Sequence, residues 1–137
     1  MLTVVAALIE SGGKLLVCQR RRGDRFELMW EFPGGKVQAG ETLGAALARE
    51  LDEELGVAAT IGREMYRTRH AYAEMSEPLE LVFFAANAPA GEIRNLAFEQ
   101  IAWREPRALT GMNFLPADRE LIEKLATGAV SLQPSQG

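Results

Sequence analysis

Three glutamates near the middle of the chain have the spacing of a divalent-metal site. Glu53 and Glu54 follow Glu50 by three and four residues, so on an α-helix the three carboxylates share one face. Carboxylate oxygens are hard ligands that suit Mg²⁺ or Mn²⁺. Because Mg²⁺ is usually bound by few carboxylates together with substrate phosphates, the pattern predicts a phosphate compound as the ligand.

The helix that carries these glutamates is predicted over residues 42–55. Leucines recur at every fourth position from Leu43 to Leu55 and form one apolar stripe. Gly56 follows at the position where a glycine commonly ends a helix. The stripe therefore predicts an amphipathic helix.

The three carboxylates are unfavourably placed on such a helix unless a cation joins them. Like charges at these spacings repel by about 0.2–0.5 kcal/mol per pair, and anions near a helix C-terminus oppose the macrodipole. Conflicts of this kind tend to mark functional sites. The alternative is a solvated helix face, on which Arg49 pairs with Glu53 one turn further on.

The elements around this helix predict an α/β domain with a mixed sheet between helices. Apolar and β-branched runs predict strands before and after the helix, and a glycine turn between the first two predicts a hairpin. The predicted strands cover residues 2–10, 14–20, 28–32, 63–72, 79–88 and 99–103. A closing helix is predicted over residues 116–127, with Pro116 near its start.

Length and composition limit the classes of protein to which the chain can belong. Its 137 residues, 47% of them hydrophobic, suit one domain with a proper core. We expect a single domain over residues 1–128 and a flexible tail over residues 129–137. A net charge of −4 with no basic block argues against a binder of duplex nucleic acid.

The N-terminus and the cysteine content indicate a cytoplasmic protein that does not enter a membrane. The apolar start of the chain lacks a basic segment and is too short to span a bilayer. A single cysteine, Cys18, cannot form an internal disulfide, which fits a reducing compartment.

The segment from Gly35 to Val57 resembles the Nudix box, the signature of Nudix hydrolases. The pattern is Gly, five residues, Glu, seven residues, Arg-Glu, an aliphatic residue, one residue, Glu-Glu, one residue, Gly and an aliphatic residue. These places hold Gly35, Glu41, Arg49, Glu50, Leu51, Glu53, Glu54, Gly56 and Val57, and none departs from the pattern. The resemblance implies the Nudix fold, a mixed β-sheet sandwiched between helices.

Two flanking segments resemble the MutT-type branch of these enzymes. They are WEFPGGK before the box and FLPADRELIEKL near the end. The branch hydrolyses nucleoside triphosphates, including oxidised ones such as 8-oxo-dGTP, to monophosphate and pyrophosphate. The resemblance implies Mg²⁺ as cofactor, with Mn²⁺ as a substitute, and a small-molecule nucleotide as substrate. It also implies a role in nucleotide pool sanitation. The protein is expected to be a monomer or a homodimer.

Two other functions stay open at this point. One is hydrolysis of another nucleoside diphosphate derivative, such as ADP-ribose or a nucleotide sugar, although enzymes of that kind often carry extra segments. The other is a non-catalytic module that senses a nucleotide. Such modules commonly lose carboxylates of the box, whereas this chain keeps all of them.

The resemblance also assigns metal and catalytic roles around the box. The implied metal ligands are Gly34, through its backbone carbonyl, and the carboxylates of Glu50, Glu53 and Glu54. Arg49 should orient the glutamates through charge-assisted hydrogen bonds, and Glu41 should brace the loop and the helix start. A carboxylate must take the proton of the attacking water. The candidates for this general base are Glu50, Glu53 and Glu99.

The nucleotide base is expected against a second group of residues. The resemblance implies Arg20, Glu31, Phe32, Pro33, Gly34, Tyr72 and Asp118 for this group. His70, a lone histidine beside Arg69, is interpreted as a surface strand residue outside the site. Asp118 stands where the MutT pattern has asparagine. An ionised carboxylate only accepts hydrogen bonds, whereas an amide both donates and accepts. Strict 8-oxoguanine preference, a broader sanitising role and a preference for cytidine-type triphosphates therefore all stay open, as does a plain helix-end role for Asp118.

Overall fold

The computed structural model describes residues 1–73 and 76–132, which form a mixed sheet with helices on both faces. The strands are β1 Leu2–Ser11, β2 Lys14–Gln19, β3 Trp30–Glu31, β4 Gly34–Lys36, β5 Thr60–His70, β6 Leu79–Asn87 and β7 Gln100–Arg104. The α-helices are α1 Leu43–Leu55 and α2 Arg119–Thr127, and short 3₁₀ helices cover Ala90–Glu92, Pro106–Gly111 and Pro116–Asp118. The predicted α/β arrangement is confirmed.

Strand β1 lies at the centre of the sheet. It forms the predicted hairpin with β2 and pairs antiparallel with β4. It also pairs in parallel with β6, from Leu2 opposite Leu79 to Ile9 opposite Ala86. Strand β5 extends the sheet beyond β6, and β3 and β7 both pair with β2. The parallel β1–β6 pair among antiparallel neighbours makes the sheet mixed.

Alternate residues of β1 fill two hydrophobic cores on opposite faces of the sheet. The first core contains Val5, Ala7 and Ile9 together with Leu47, Leu51 and Leu55 of α1. The second contains Ala6 and Leu8 together with Leu121, Ile122 and Leu125 of α2. Successive side chains of a strand point to opposite faces, so one strand supports both helices.

Strand β4 is the strand that the sequence patterns do not predict. Pro33 and the two glycines after it are typical of a turn, yet residues 34–36 pair with β1. Gly34 has a φ of +157°, and a Cβ there would lie 2.0 Å from the carbonyl oxygen of Val5. A glycine is therefore needed for β4 to approach β1 this closely.

The C-terminal part differs in detail from the prediction. Helix α2 begins at Arg119 because residues 116–118 form a 3₁₀ turn. In the predicted tail, Val130 and Leu132 pack on the second core, and residues 133–137 lie outside the described residues. No helix within the described ranges is long and apolar enough to cross a membrane.

Candidate active site

Both ends of helix α1 are fixed by hydrogen bonds. The Thr42 side chain accepts the amide of Ala45 at 3.1 Å, as an N-terminal cap. Gly56 adopts the left-handed conformation and donates its amide to the carbonyl of Asp52 at 2.9 Å. The predicted helix and its terminal glycine are confirmed.

A loop after β6 stabilises the end of α1 at which the acidic residues crowd. The amide of Arg94 donates to the carbonyl of Leu55 at 2.8 Å, and that of Leu96 donates to the carbonyl of Glu54 at 3.0 Å. The Arg94 guanidinium lies beside Gly56. Amides and a cation at a helix C-terminus offset the macrodipole, so part of the conflict noted in the sequence is relieved here.

Arg49 connects the acidic residues of the box. Its Nε and one terminal nitrogen donate to the two carboxylate oxygens of Glu41 at 2.7 and 3.0 Å. Its other terminal nitrogen lies 3.0 Å from Glu50 and 3.4 Å from Glu53. The backbone carbonyl of Lys36 accepts a further bond at 3.1 Å. This geometry fits the orienting role that the resemblance implies for Arg49.

Glu41 holds the loop before α1 in place. Its Oε1 accepts the amide of Gln38 at 2.8 Å while both carboxylate oxygens receive Arg49. The hydrogen bonds from Arg49, and then the one from Gln38, lower the pKa of Glu41. The carboxylate therefore stays ionised as the bracing group.

The two glycines of β4 make room for two of the carboxylates. The amide of Gly34 donates to Oε1 of Glu54 at 3.0 Å. A Cβ on Gly35 would lie only 2.4–2.6 Å from the carboxylate atoms of Glu50. Burial, together with the charges of Glu50 and Glu31, raises the pKa of Glu54 to about 8.

The donors on this helix face fit a hard divalent cation. Burial, and then the charges of Glu50 and Glu31, raise the pKa of Glu54, and a bound cation would favour the charged carboxylate against both effects. In residues 1–73 and 76–132 no group of three His, Cys, Asp or Glu side chains is arranged as a metal site. The carboxylates of Glu50 and Glu53 instead accept hydrogen bonds from Arg49. The carboxylate of Glu54 accepts one from the amide of Gly34. The metal set therefore stays a prediction, which the chemistry of the donors supports.

A cavity of about 320 Å³ opens beside the carboxylates. Glu54, Gly34 and Gly35 form the side that it shares with the acidic helix. Six of the predicted substrate residues line it: Arg20, Glu31, Phe32, Gly34, Tyr72 and Asp118. Apolar side chains of Leu2, Val4, Leu79 and Leu81, from the starts of β1 and β6, line it as well. The cavity thus combines apolar surface with a few polar groups, as ligand sites do.

Pro33 is the predicted substrate residue that does not line this cavity. It is buried, and its carbonyl accepts the amide of Ala7 at 2.9 Å. Within the cavity, a terminal nitrogen of Arg20 lies 3.2 and 3.3 Å from the two oxygens of Glu31. Burial raises the pKa of Glu31, and the guanidinium of Arg20 partly opposes this. The cavity therefore holds an ion pair on one wall.

Asp118 is a cavity residue with an unusual environment for a carboxyl group. It is 4% exposed and precedes α2, yet its side chain makes no capping hydrogen bond to that helix. Burial and then the charge of Glu31 raise the pKa of Asp118 well above its usual range. A protonated carboxyl both donates and accepts a hydrogen bond. The geometry therefore favours contact with a ligand over a helix-end role.

Asp118→Asn is expected to become more stable than the wild type as pH rises. The folded-state pKa of Asp118 lies above the unfolded value of about 3.8. Its contribution to stability is therefore fully present below that value and is lost as pH rises through the folded pKa. The amide cannot ionise, so the unfolding temperatures should be similar at pH 4 and differ by several degrees at pH 8. Thermal melts across this range measure the gap, and a constant gap would contradict the raised pKa.

The cavity includes a charged and an aromatic residue from a loop that the sequence patterns did not assign to the site. Arg25 and Phe26 line the cavity from the loop between β2 and β3. This loop is charged and has no periodicity, so the only signal in the sequence was one aromatic residue in a polar segment.

Two other titratable residues of interest lie outside the cavity. The His70 ring lies 4.4 Å from the Tyr72 ring but does not line the cavity. Glu99 accepts the amide of Arg22 at 3.2 Å and does not line it either.

Comparisons with known proteins identify the family of the chain. The NUDIX domain family matches residues 1–125. An 8-oxo-dGTP diphosphatase of Haemophilus influenzae is 36% identical over 126 residues, which cover 91% of each chain. A CTP pyrophosphohydrolase of Escherichia coli is 35% identical over 123 residues, which cover 90% of each chain.

A solved structure shares the fold. The solution structure of the E. coli ORF135 protein matches with a TM-score of 0.75 and 34% identity, over 94% of this chain and 89% of that one. The fold and the signature that the sequence indicates are thus confirmed together. The chain belongs to the NUDIX domain family and is a MutT-like pyrophosphohydrolase of that family.

Proposed function

We propose that the chain hydrolyses nucleoside triphosphates to monophosphate and pyrophosphate, with Mg²⁺ as cofactor and Mn²⁺ as a substitute. The observation that carries this proposal is the wall shared by the acidic helix and the cavity. Glu54 of α1 lines the cavity, as do Gly34 and Gly35 of β4, which lie against the carboxylates of Glu54 and Glu50. A substrate whose base occupies the cavity would thus extend its phosphates toward the carboxylates of α1.

The reaction needs groups that neutralise phosphate charge and move one proton. The cation ligands in this proposal are Gly34, Glu50, Glu53 and Glu54, and the cation would stabilise charge on the phosphate oxygens. Glu50 or Glu53 takes the proton of a water that attacks the β-phosphorus. Arg49 holds both of these carboxylates in place. Glu99 is less well supported as the base because its carboxylate accepts a backbone amide outside the cavity.

The preferred substrates in this proposal are oxidised or modified triphosphates such as 8-oxo-dGTP. The similarity to an 8-oxo-dGTP diphosphatase supports this choice. The similarity to a CTP pyrophosphohydrolase, together with aspartate in place of asparagine at Asp118, favours cytidine-type triphosphates as the second candidate. We further propose a role in sanitation of the nucleotide pool in the cytoplasm, where a free buried thiol such as that of Cys18 is common.

The position of the cleaved bond tests the proposed reaction. Hydrolysis in ¹⁸O-labelled water should give monophosphate and pyrophosphate as first products, with the label in pyrophosphate. Label in the monophosphate would move the attack to the α-phosphorus. Orthophosphate as the first product would overturn the proposed reaction, as would turnover of ADP-ribose or nucleotide sugars with no turnover of triphosphates.

Asp118→Ala is expected to lower kcat/KM for the best substrate by about 1–3 kcal/mol of transition-state stabilisation, because a group on the base edge loses its partner. The loss should be smaller for poor substrates, so discrimination should flatten. Asp118→Asn keeps a group that both donates and accepts, as the protonated carboxyl does, and should therefore keep more of the wild-type ranking of substrates than Asp118→Ala. The measurement is kcat/KM for 8-oxo-dGTP, dGTP, dCTP and dATP. An unchanged ranking in both variants would remove Asp118 from base recognition.

A further inference from the structure

Phe26 holds an aromatic ring in the cavity from a backbone conformation that disfavours side chains. Its φ is +57°, in the left-handed region. Hydrogen bonds fix the loop around it: Arg20 Nε donates to the carbonyl of Arg25 at 2.6 Å, and the amide of Met29 donates to the carbonyl of Phe26 at 3.2 Å. Strained residues that the surrounding structure holds in place are concentrated at ligand sites, so the position of this ring calls for a functional reason.

The ring of Phe26 meets a second ring that comes from another part of the chain. Its centroid lies 5.2 Å from that of Tyr72, and the two planes are tilted by 43°. The guanidinium of Arg25 lies 4.7 Å from the Phe26 centroid and 5.5 Å from the Tyr72 centroid. These are distances at which aromatic pairs and cation–π contacts are favourable. The loop before β3 is thereby joined to the segment after β5.

The rest of the cavity supplies what a planar heterocycle would need beside such a pair. Asp118 and Glu31 provide polar groups, and Leu79 and Leu81 provide apolar surface in the same cavity. If a base directed its polar edge to Asp118, its flat face would stay available for stacking on an aromatic ring. Stacking accepts many bases because every base has a π-face.

We propose that Phe26 is a base-binding residue that, together with Tyr72, forms a stacking wall for the base of the substrate. The proposal rests on the proposed function, because it concerns how a nucleoside triphosphate is bound. The ring would act through binding of the base and not through the phosphates, so KM should respond and kcat should not.

Phe26→Gly is the direct test, and Leu28→Gly is its matched control. Leu28 also has a positive φ, +62°, but does not line the cavity. Both glycine variants relieve the same kind of backbone strain, and only the first removes a ring from the cavity. Phe26→Gly should raise KM for dGTP and dCTP about 10-fold, whereas Leu28→Gly should leave KM within about twofold. Phe26→Tyr keeps a ring and should keep the wild-type KM.

A substrate without a base separates stacking from a general loss of structure. With deoxyribose 5-triphosphate, the wild type and Phe26→Gly should have the same KM, because this substrate has no base that could stack on the ring. Equal KM increases in both glycine variants, or an equal increase with the substrate that lacks a base, would overturn the stacking wall.

Failure of the proposed function is distinguishable from failure of this inference. If the wild type turns over no nucleoside triphosphate, the proposed function fails. The wall is then tested by titrating dGMP and dCMP into the wild type and Phe26→Gly. Weaker binding by the variant, with unchanged binding of deoxyribose 5-phosphate, would support the wall, and equal binding of the nucleotides would overturn it.

Discussion

Glu53→Gln and Glu54→Gln are each expected to lower kcat/KM by about 10³-fold or more. Glutamine keeps the shape of the side chain but removes the anionic oxygens that a hard cation requires, and loss of transition-state stabilisation by a single group has effects of this order. Neither change should lower the unfolding temperature, because both reduce repulsion within the acidic group. Steady-state kinetics with saturating Mg²⁺ and thermal melts measure the two effects.

Asp52→Asn is the matched control for these variants. Asp52 is exposed and lies on the same helix, and its substitution removes the same charge. The kcat/KM of this variant should therefore stay within about twofold of the wild-type value. Excess EDTA should abolish wild-type turnover, and added Mg²⁺ or Mn²⁺ should restore it. Full turnover in EDTA, or a loss in Asp52→Asn as large as in Glu53→Gln, would contradict the metal role of the glutamates.

Gly34→Ala is expected to damage the fold as well as the activity. Its φ of +157° and the 2.0 Å distance from a built Cβ to the carbonyl oxygen of Val5 leave no room for a methyl group. The clash is with backbone, so β4 must move away from β1, at a cost of about 3 kcal/mol. In a domain of this size the unfolding temperature should fall by roughly 10 °C.

Gly35→Ala distinguishes crowding of the site from damage to the sheet. The three atoms nearest to a Cβ there all belong to the Glu50 carboxylate, and the φ of Gly35 is not in the left-handed region. The side chain can turn aside, so the unfolding temperature should change little. The displaced carboxylate should nevertheless lower kcat/KM strongly. Equal thermal losses in Gly34→Ala and Gly35→Ala would contradict this account of β4.

The elements with strong periodicity could be predicted from the sequence. The leucine stripe and Gly56 locate α1 almost to the residue, because helix amphipathicity and the terminal glycine act locally. The hairpin of β1 and β2 follows from two apolar runs around a glycine turn. Strands were also predicted over residues 63–72 and 79–88, where the structure has β5 and β6.

Elements that depend on distant contacts could not be predicted in this way. Residues 34–36 have no strand-like side chains, and only their fit against β1 makes them a strand. The 3₁₀ helix Pro106–Gly111 buries Leu109 without a periodic pattern. Phe26 enters the cavity through a backbone conformation that no propensity indicates.

The candidate site could be predicted in part. The box fixes the positions of Arg49 and Glu54 in the sequence, and the structure places both on α1. The environment of Asp118 depends on its burial and on Glu31, which lies far away in the chain. Only the folded arrangement determines whether that carboxyl can donate a hydrogen bond.

The parallel pairing of β1 with β6 affects how the protein acquires activity on the ribosome. The first strand of the chain waits for a partner that is synthesised much later, and such distant contacts must overcome loop-closure entropy before they contribute stability. Strand β6 also supplies Val82 to the first core and Phe83 to the second. Neither core is complete before these residues leave the exit tunnel. A nascent chain in which the acidic helix has left the ribosome therefore still lacks the complete sheet against which this helix packs. Hydrolysis begins only after most of the domain has been released.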